Sequence, residues 1–155
     1  MLKIGIVGAR DWTQEKQIEW FIKDLPQNVL IVSGGAKGVD SMAINFAKKY
    51  GLQTKEFLPD FSDLPVNANK IDYTKRYYER NQKIVDEVNF LVAFVNKDTG
   101  GTWDTIKRAT KKKIPVKIFK PSLFIGYDEP LPEEKEISSK TSNIDFNITN
   151  ENKGR

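Results

Sequence analysis

Short apolar runs and amphipathic segments alternate through the first 120 residues, and most of the runs stop at a turn that feeds a helical pattern. Residues 2–7 (LKIGIV), 28–33 (NVLIVS), 53–57, 89–95 (NFLVAFV) and 115–119 (PVKIF) read as strands. Residues 13–24, 39–50, 73–87 and 102–113 carry apolar side chains at helical spacing, with Thr13 as an N-cap for the first and Gly51 closing the second. Strands separated by helices of this length form βαβ units, whose strands run parallel. The strands are apolar almost throughout rather than alternating, so the sheet is covered on both faces. The expected fold is α/β: a Rossmann-like, doubly wound sheet of about five parallel strands in the order 3-2-1-4-5, in three α/β/α layers.

Two stretches interrupt this regularity. Residues 58–71, with Pro59 and Pro65, form a connection long enough to be a functional loop. After Phe119 the pattern ends: Leu123, Phe124, Ile125 and Tyr127 are expected to dock on the body, and residues 128–155 are polar and without period, as a flexible tail would be. One nucleotide-binding domain over 1–127 and a tail over 128–155 is the expected organisation.

The chain has no histidine and no cysteine, which removes Ser-His triads, thiolate nucleophiles, disulfides and the common zinc and iron–sulfur sites. No metal and no cofactor is expected. The apolar start ends at Gly8-Ala9-Arg10 and no run is long enough to span a bilayer, so a cytoplasmic protein without a membrane partner is expected. Residues 1–120 hold 21 Lys and Arg against 14 Asp and Glu, whereas 121–155 hold 4 against 7. A basic body suits an anionic partner.

Ligands of doubly wound sheets sit beyond the carboxyl ends of the strands, at the point where strand order reverses. Three turns meet there: Gly8-Ala9-Arg10-Asp11-Trp12, Ser33-Gly34-Gly35-Ala36-Lys37-Gly38-Val39-Asp40, and Gly100-Gly101-Thr102-Trp103-Asp104. Each feeds a helix, whose N-terminus offers free N–H groups and partial positive charge to a phosphate. Neither the dinucleotide fingerprint G-x-G-x-x-G nor a Walker A loop is present.

Together with Arg80-Asn81 and the run GGTWDTIKRA (100–109), these motifs resemble the SLOG superfamily, in particular its YspA/YpsA-related branch of small Rossmann-like proteins of bacteria and phages. The resemblance covers about residues 1–120 and implies a nucleotide-like ligand. Under it, Gly34, Gly35, Ala36 and Gly38 form one phosphate or ribose cradle, and Gly100, Gly101 and Thr102 a second. Gly8 lies in the first turn, Arg80 pairs with a phosphate, Asn81 and Asp40 meet ribose hydroxyls, and Arg10 and Trp12 clamp a base. The hydrolytic relatives read P-G-G-x-G-T-x-x-E. Here the last position is Thr105, which leaves only Asp104 or Asp40 as a catalytic acid.

The resulting expectation is a homodimer or higher homo-oligomer that binds a small or NAD-derived nucleotide, sensing or sequestering a signal in a bacterial or phage-infected cell. An N-glycosidic-bond hydrolase is the alternative, and a DNA-binding module, resting on the basic surface of Lys107, Arg108 and Lys111–Lys113, ranks third.

Overall fold

The computed structural model describes residues 1–98 and 100–121 and the backbone of 133–136. Among the described residues, six strands and four helices follow one another: β1 (Leu2–Gly8), α1 (Glu15–Lys23), β2 (Val29–Ser33), α2 (Val39–Lys49), β3 (Gln53–Glu56), α3 (Lys70–Glu87), β4 (Phe90–Phe94), α4 (Gly101–Lys111), β5 (Val116–Lys120) and β6 (Glu133–Glu136). The sheet order is β3-β2-β1-β4-β5-β6. The first five strands pair in parallel, which is the order read from the sequence, and β6 adds an antiparallel edge.

β4 shows why the strands are apolar throughout. Phe90, Val92 and Phe94 pack with α1 and α2, against Ile18, Phe21, Ile22 and Ala43. Leu91 and Ala93 point the other way, into a layer with Ile84 and Val85 of α3 and Ile106 and Ala109 of α4. Period-2 alternation thus serves two cores, one on each face of the sheet.

Two departures from the expected helix starts have local causes. α1 starts at Glu15, and Thr13 does not cap it. The Trp12 indole is buried beside Phe94, and its Nε1 donates to the Gln14 carbonyl at 3.0 Å, so the chain stays non-helical to that point. α3 starts at Lys70, three residues earlier than expected. The Asn69 side chain accepts from the Asp72 N–H at 3.0 Å, and the Asp72 carboxylate accepts from the Asn69 N–H at 3.0 Å. The preceding connection is packed down: Phe61 lies edge-on to Tyr73 and Tyr77 at 5.1 and 5.4 Å, and Asp63 pairs with Arg76 at 2.8 Å.

The stretch read as a periodless tail contains β6, in register from Lys117 opposite Glu136 to Lys120 opposite Glu133. Its sequence, Glu-Glu-Lys-Glu, has no apolar alternation to announce a strand. The expected docking of Leu123, Phe124, Ile125 and Tyr127 lies outside the described residues.

Candidate functional site

β1 and β4 are neighbours whose following helices cross to opposite faces of the sheet, so their carboxyl ends diverge and leave a crevice. A cavity of about 680 Å³ fills it. The end of β1 and the turn after it supply Gly8, Arg10 and Asp11; the turn after β4 supplies Asn96 and Lys97; α3 contributes Tyr77 and Tyr78. The first turn of α4, Gly100 through Asp104, closes one side.

That turn is the open phosphate-type element. Gly100 has φ +112°, and α4 begins without a side-chain cap. A Cβ built on Gly100 or Gly101 would meet nothing within 4 Å, so no side chain of the described residues crowds this turn. Uncapped N–H groups and the positive end of a helix favour an anion there. Thr102 lines the same cavity.

The Ser33–Asp40 turn behaves differently. A Cβ on Gly34 would meet Arg80 Nη1 and Asp40 Oδ2 at 2.8 Å each; one on Gly35 would overlap Leu58; one on Gly38, at φ +79°, would collide with the carbonyls of Ala9 and Arg10. These glycines make room for the protein's own atoms. Of this turn only Ala36 and Asp40 line the cavity.

Arg80 is buried at 8% exposure. Its Nη1 donates to the Gly34 carbonyl and, at 3.4 Å, to that of Phe57, and its Nε donates to Asn81 Oδ1 at 3.1 Å. The guanidinium therefore staples the ends of β2 and β3 and presents only its remaining edge to the cavity. Asn81 carries the staple onward, donating to Asp104 Oδ2 at 3.0 Å and to the Gly101 carbonyl at 3.4 Å. Burial pushes the Asp40 carboxyl up to about 6, against the pull of Arg80 and of the Ala36, Gly8 and Gly34 N–H groups. Burial likewise lowers the Arg80 pKa, and Asp40 opposes that shift.

Asp104 is engaged too: its Oδ2 accepts from Arg108 Nε at 2.7 Å as well as from Asn81. Thr105, where the hydrolytic relatives carry their acid, is buried, and its hydroxyl donates back to the Gly101 carbonyl at 3.4 Å. Among the described residues no cluster of potential metal ligands occurs.

The structure thus brings Gly8, Arg10, Ala36, Asp40, Arg80, Asn81, Gly100, Gly101, Thr102 and Asp104 to one cavity. Trp12 is a correction: at 4% exposure, edge-on to Phe94 at 5.6 Å, it is core and stacks on no ligand. Arg10 faces Tyr77 instead, 5.6 Å from its ring centroid, with Arg80 at 5.7 Å from the same ring. The sequence reading passed over Asp11, Asn96, Tyr77 and Trp103 as site residues. Asp11, Tyr77 and Trp103 stand within the motifs or the helix already singled out, whereas Asn96 only follows the 89–95 strand, and position beyond a strand end was its available signal.

A family model described as DNA recombination-mediator protein A matches residues 1–99. No curated protein matches the sequence. Among solved structures, DNA processing protein A from Streptococcus pneumoniae superposes with a TM-score of 0.63 at 21% identity, covering 95% of this chain and 56% of that one. The chain thus spans little more than half of that protein. DNA processing protein A from Helicobacter pylori, described for its single-stranded DNA binding mode, gives 0.58 at 21% identity over 83% and 69%. A molybdenum cofactor binding protein from Rippkaea orientalis gives 0.52 at 18% identity over 96% and 85%. Identities this low carry the fold, which is Rossmann-like as the SLOG resemblance implied.

Proposed function

The chain belongs to the DNA recombination-mediator protein A family, and from that premise we propose that its switch-point cavity binds single-stranded DNA. One observation carries the reading. The cavity shares Asp104 and Lys107 with a second groove, about 600 Å³ in volume, where Arg108, Lys111 and Lys112 outnumber Asp86 and Asp104, although Arg108 pairs with Asp104 and Lys112 with Asp86. A nucleotide seated at the α4 N-terminus has a cationic path along which its neighbours can leave. The exposed Arg10 and the Tyr77 ring supply the charge and the π-face that single strands use. The Helicobacter pylori relative's single-stranded DNA binding supports the same ligand class.

Fluorescence anisotropy of a labelled oligo-dT against the full chain tests this. Saturable binding, weakened by Arg10→Ala and Lys107→Ala together and absent for duplex of equal length, is the expected result. Equal affinity for duplex and single strand would point to an unspecific basic surface.

A small nucleotide as a free ligand is the second reading, favoured by the unobstructed Gly100-Gly101 approach. Calorimetry with AMP, ADP-ribose and NAD separates the two: a mononucleotide that binds tightly while oligo-dT does not would establish the second at the expense of the first. Hydrolysis gains no support from Asp104, whose Oδ2 already serves Asn81 and Arg108.

A further inference from the structure

Tyr78 stands on the cavity wall with 41% of its surface exposed. Tyr73 and Tyr77 of the same helix pack on Phe61, whereas Tyr78, a further 100° round α3, does not. Its neighbour is Arg108 of α4, whose guanidinium lies over the ring, 5.5 Å from the centroid. That guanidinium is held from both helices. Its Nε donates to Asp104 Oδ2 at 2.7 Å and its Nη1 to Gln82 Oε1 at 3.0 Å. Tyr78 and Gln82 are one turn apart on α3, as Asp104 and Arg108 are on α4, so ring and cation form one fixed unit between the helices. With the cation on one face of the ring, its exposure is left to the other. Position gives that face a use. Tyr78 lines the cavity, Arg108 lines the adjoining groove, and Asp104 and Lys107 line both, so the pair stands at the junction. A strand leaving the cavity for the groove crosses there, beside the exposed Lys107, which can meet the connecting phosphate.

We infer that Tyr78, backed by Arg108, is a second base site, which stacks the base next to the nucleotide held in the cavity. Every base has a π-face, so this contact takes any base of a single strand and prefers none. A base already stacked and paired in a duplex does not present that face. A ring that its neighbours hold in place loses little freedom when a base covers it, so most of the stacking is kept as affinity. The inference rests on the single-stranded DNA reading of the cavity and adds a second nucleotide to it.

The test uses the full chain and two labelled strands of equal length, oligo-dT and an abasic strand that keeps the sugars and phosphates without the bases. Titrations are run at low salt, where phosphate contacts alone give measurable binding. Tyr78→Ala is expected to weaken oligo-dT binding about tenfold, within the range that one stacked base gives. The same variant is expected to bind the abasic strand within about twofold of the parent chain and to keep its melting temperature. Tyr78→Phe, which retains the ring, is expected to bind both strands as the parent does. Equal losses on the two strands in Tyr78→Ala, or no loss on either, overturn the inference and leave the DNA reading standing. So does a loss in Tyr78→Phe as large as that in Tyr78→Ala. Absence of oligo-dT binding by the parent chain overturns both.

Discussion

At the scale of single residues, the interior end of the cavity is set by a buried carboxyl group under the electrostatic influence of a buried guanidinium, with a predictable pH response. The Asp40 carboxyl is raised to about 6 by burial, so the folded chain keeps a proton there that the unfolded chain has already released above pH 4. The stability this contributes is fully present below the ordinary carboxylate value and is lost as pH rises through about 6, a change of about 3 kcal/mol. Urea midpoints from about pH 4.5 to 7.5 should therefore fall for the parent chain and stay nearly flat for Asp40→Asn. Arg80→Ala, which strands Asp40 without its cation, should cost about 3–5 kcal/mol at neutral pH. The glycines divide just as sharply. Gly101→Val has open space and should leave stability within about 0.5 kcal/mol while blocking the ligand. Gly38→Ala, at positive φ and against two carbonyls, should destabilise by more than about 1 kcal/mol. Circular-dichroism melts beside anisotropy titrations distinguish the two. The sequence marked both glycine turns but not which was open, because a glycine that admits a ligand and one that admits Arg80 look alike in one dimension. Arg80 did carry a hint: it stands three residues after Tyr77 and four before Ile84, on the inward face of α3.

At the scale of elements, β1 to β5 and their parallel order were legible because apolar runs and helical periodicity alternate cleanly. Ends were less so. The start of α3 depends on an Asn69–Asp72 box, with Asn and Asp in place of the more familiar Ser or Thr and Glu or Gln. Asn69→Ala should cost about 1 kcal/mol and fray the first turn, read as faster amide exchange over residues 70–73. The effect should reach the site, since that turn holds Tyr73 under Phe61, and Phe61 also meets Tyr77 on the cavity wall. β6 escaped because a strand held by backbone pairing to one edge needs no apolar side.

At the scale of the whole molecule, charge should govern association. If Arg10, Lys107 and Lys111 each neutralise a phosphate, the logarithmic salt slope for oligo-dT is about −2, or roughly a 20-fold loss between 50 and 200 mM salt. A mononucleotide should lose far less, which makes the titration a second discriminator of ligand class. The expected homo-oligomer is a proposal at this scale too. Leu58, Val66, Ile71 and Tyr73 are exposed on the connection and the first turn of α3, and light scattering at micromolar concentration should give the mass of two chains. Tyr77, by contrast, is taken up by Phe61 and the cavity. The staple of Arg80 and Asn81 has a consequence for how this chain can change by mutation. It ties the ends of β2 and β3 to the start of α4 through Gly34, Phe57, Gly101 and Asp104. A library varying positions 34, 40 and 80 should therefore show strong epistasis: a side chain at 34 survives selection only alongside a shorter residue at 80 and a neutral one at 40, so drift must pass through paired changes or not at all.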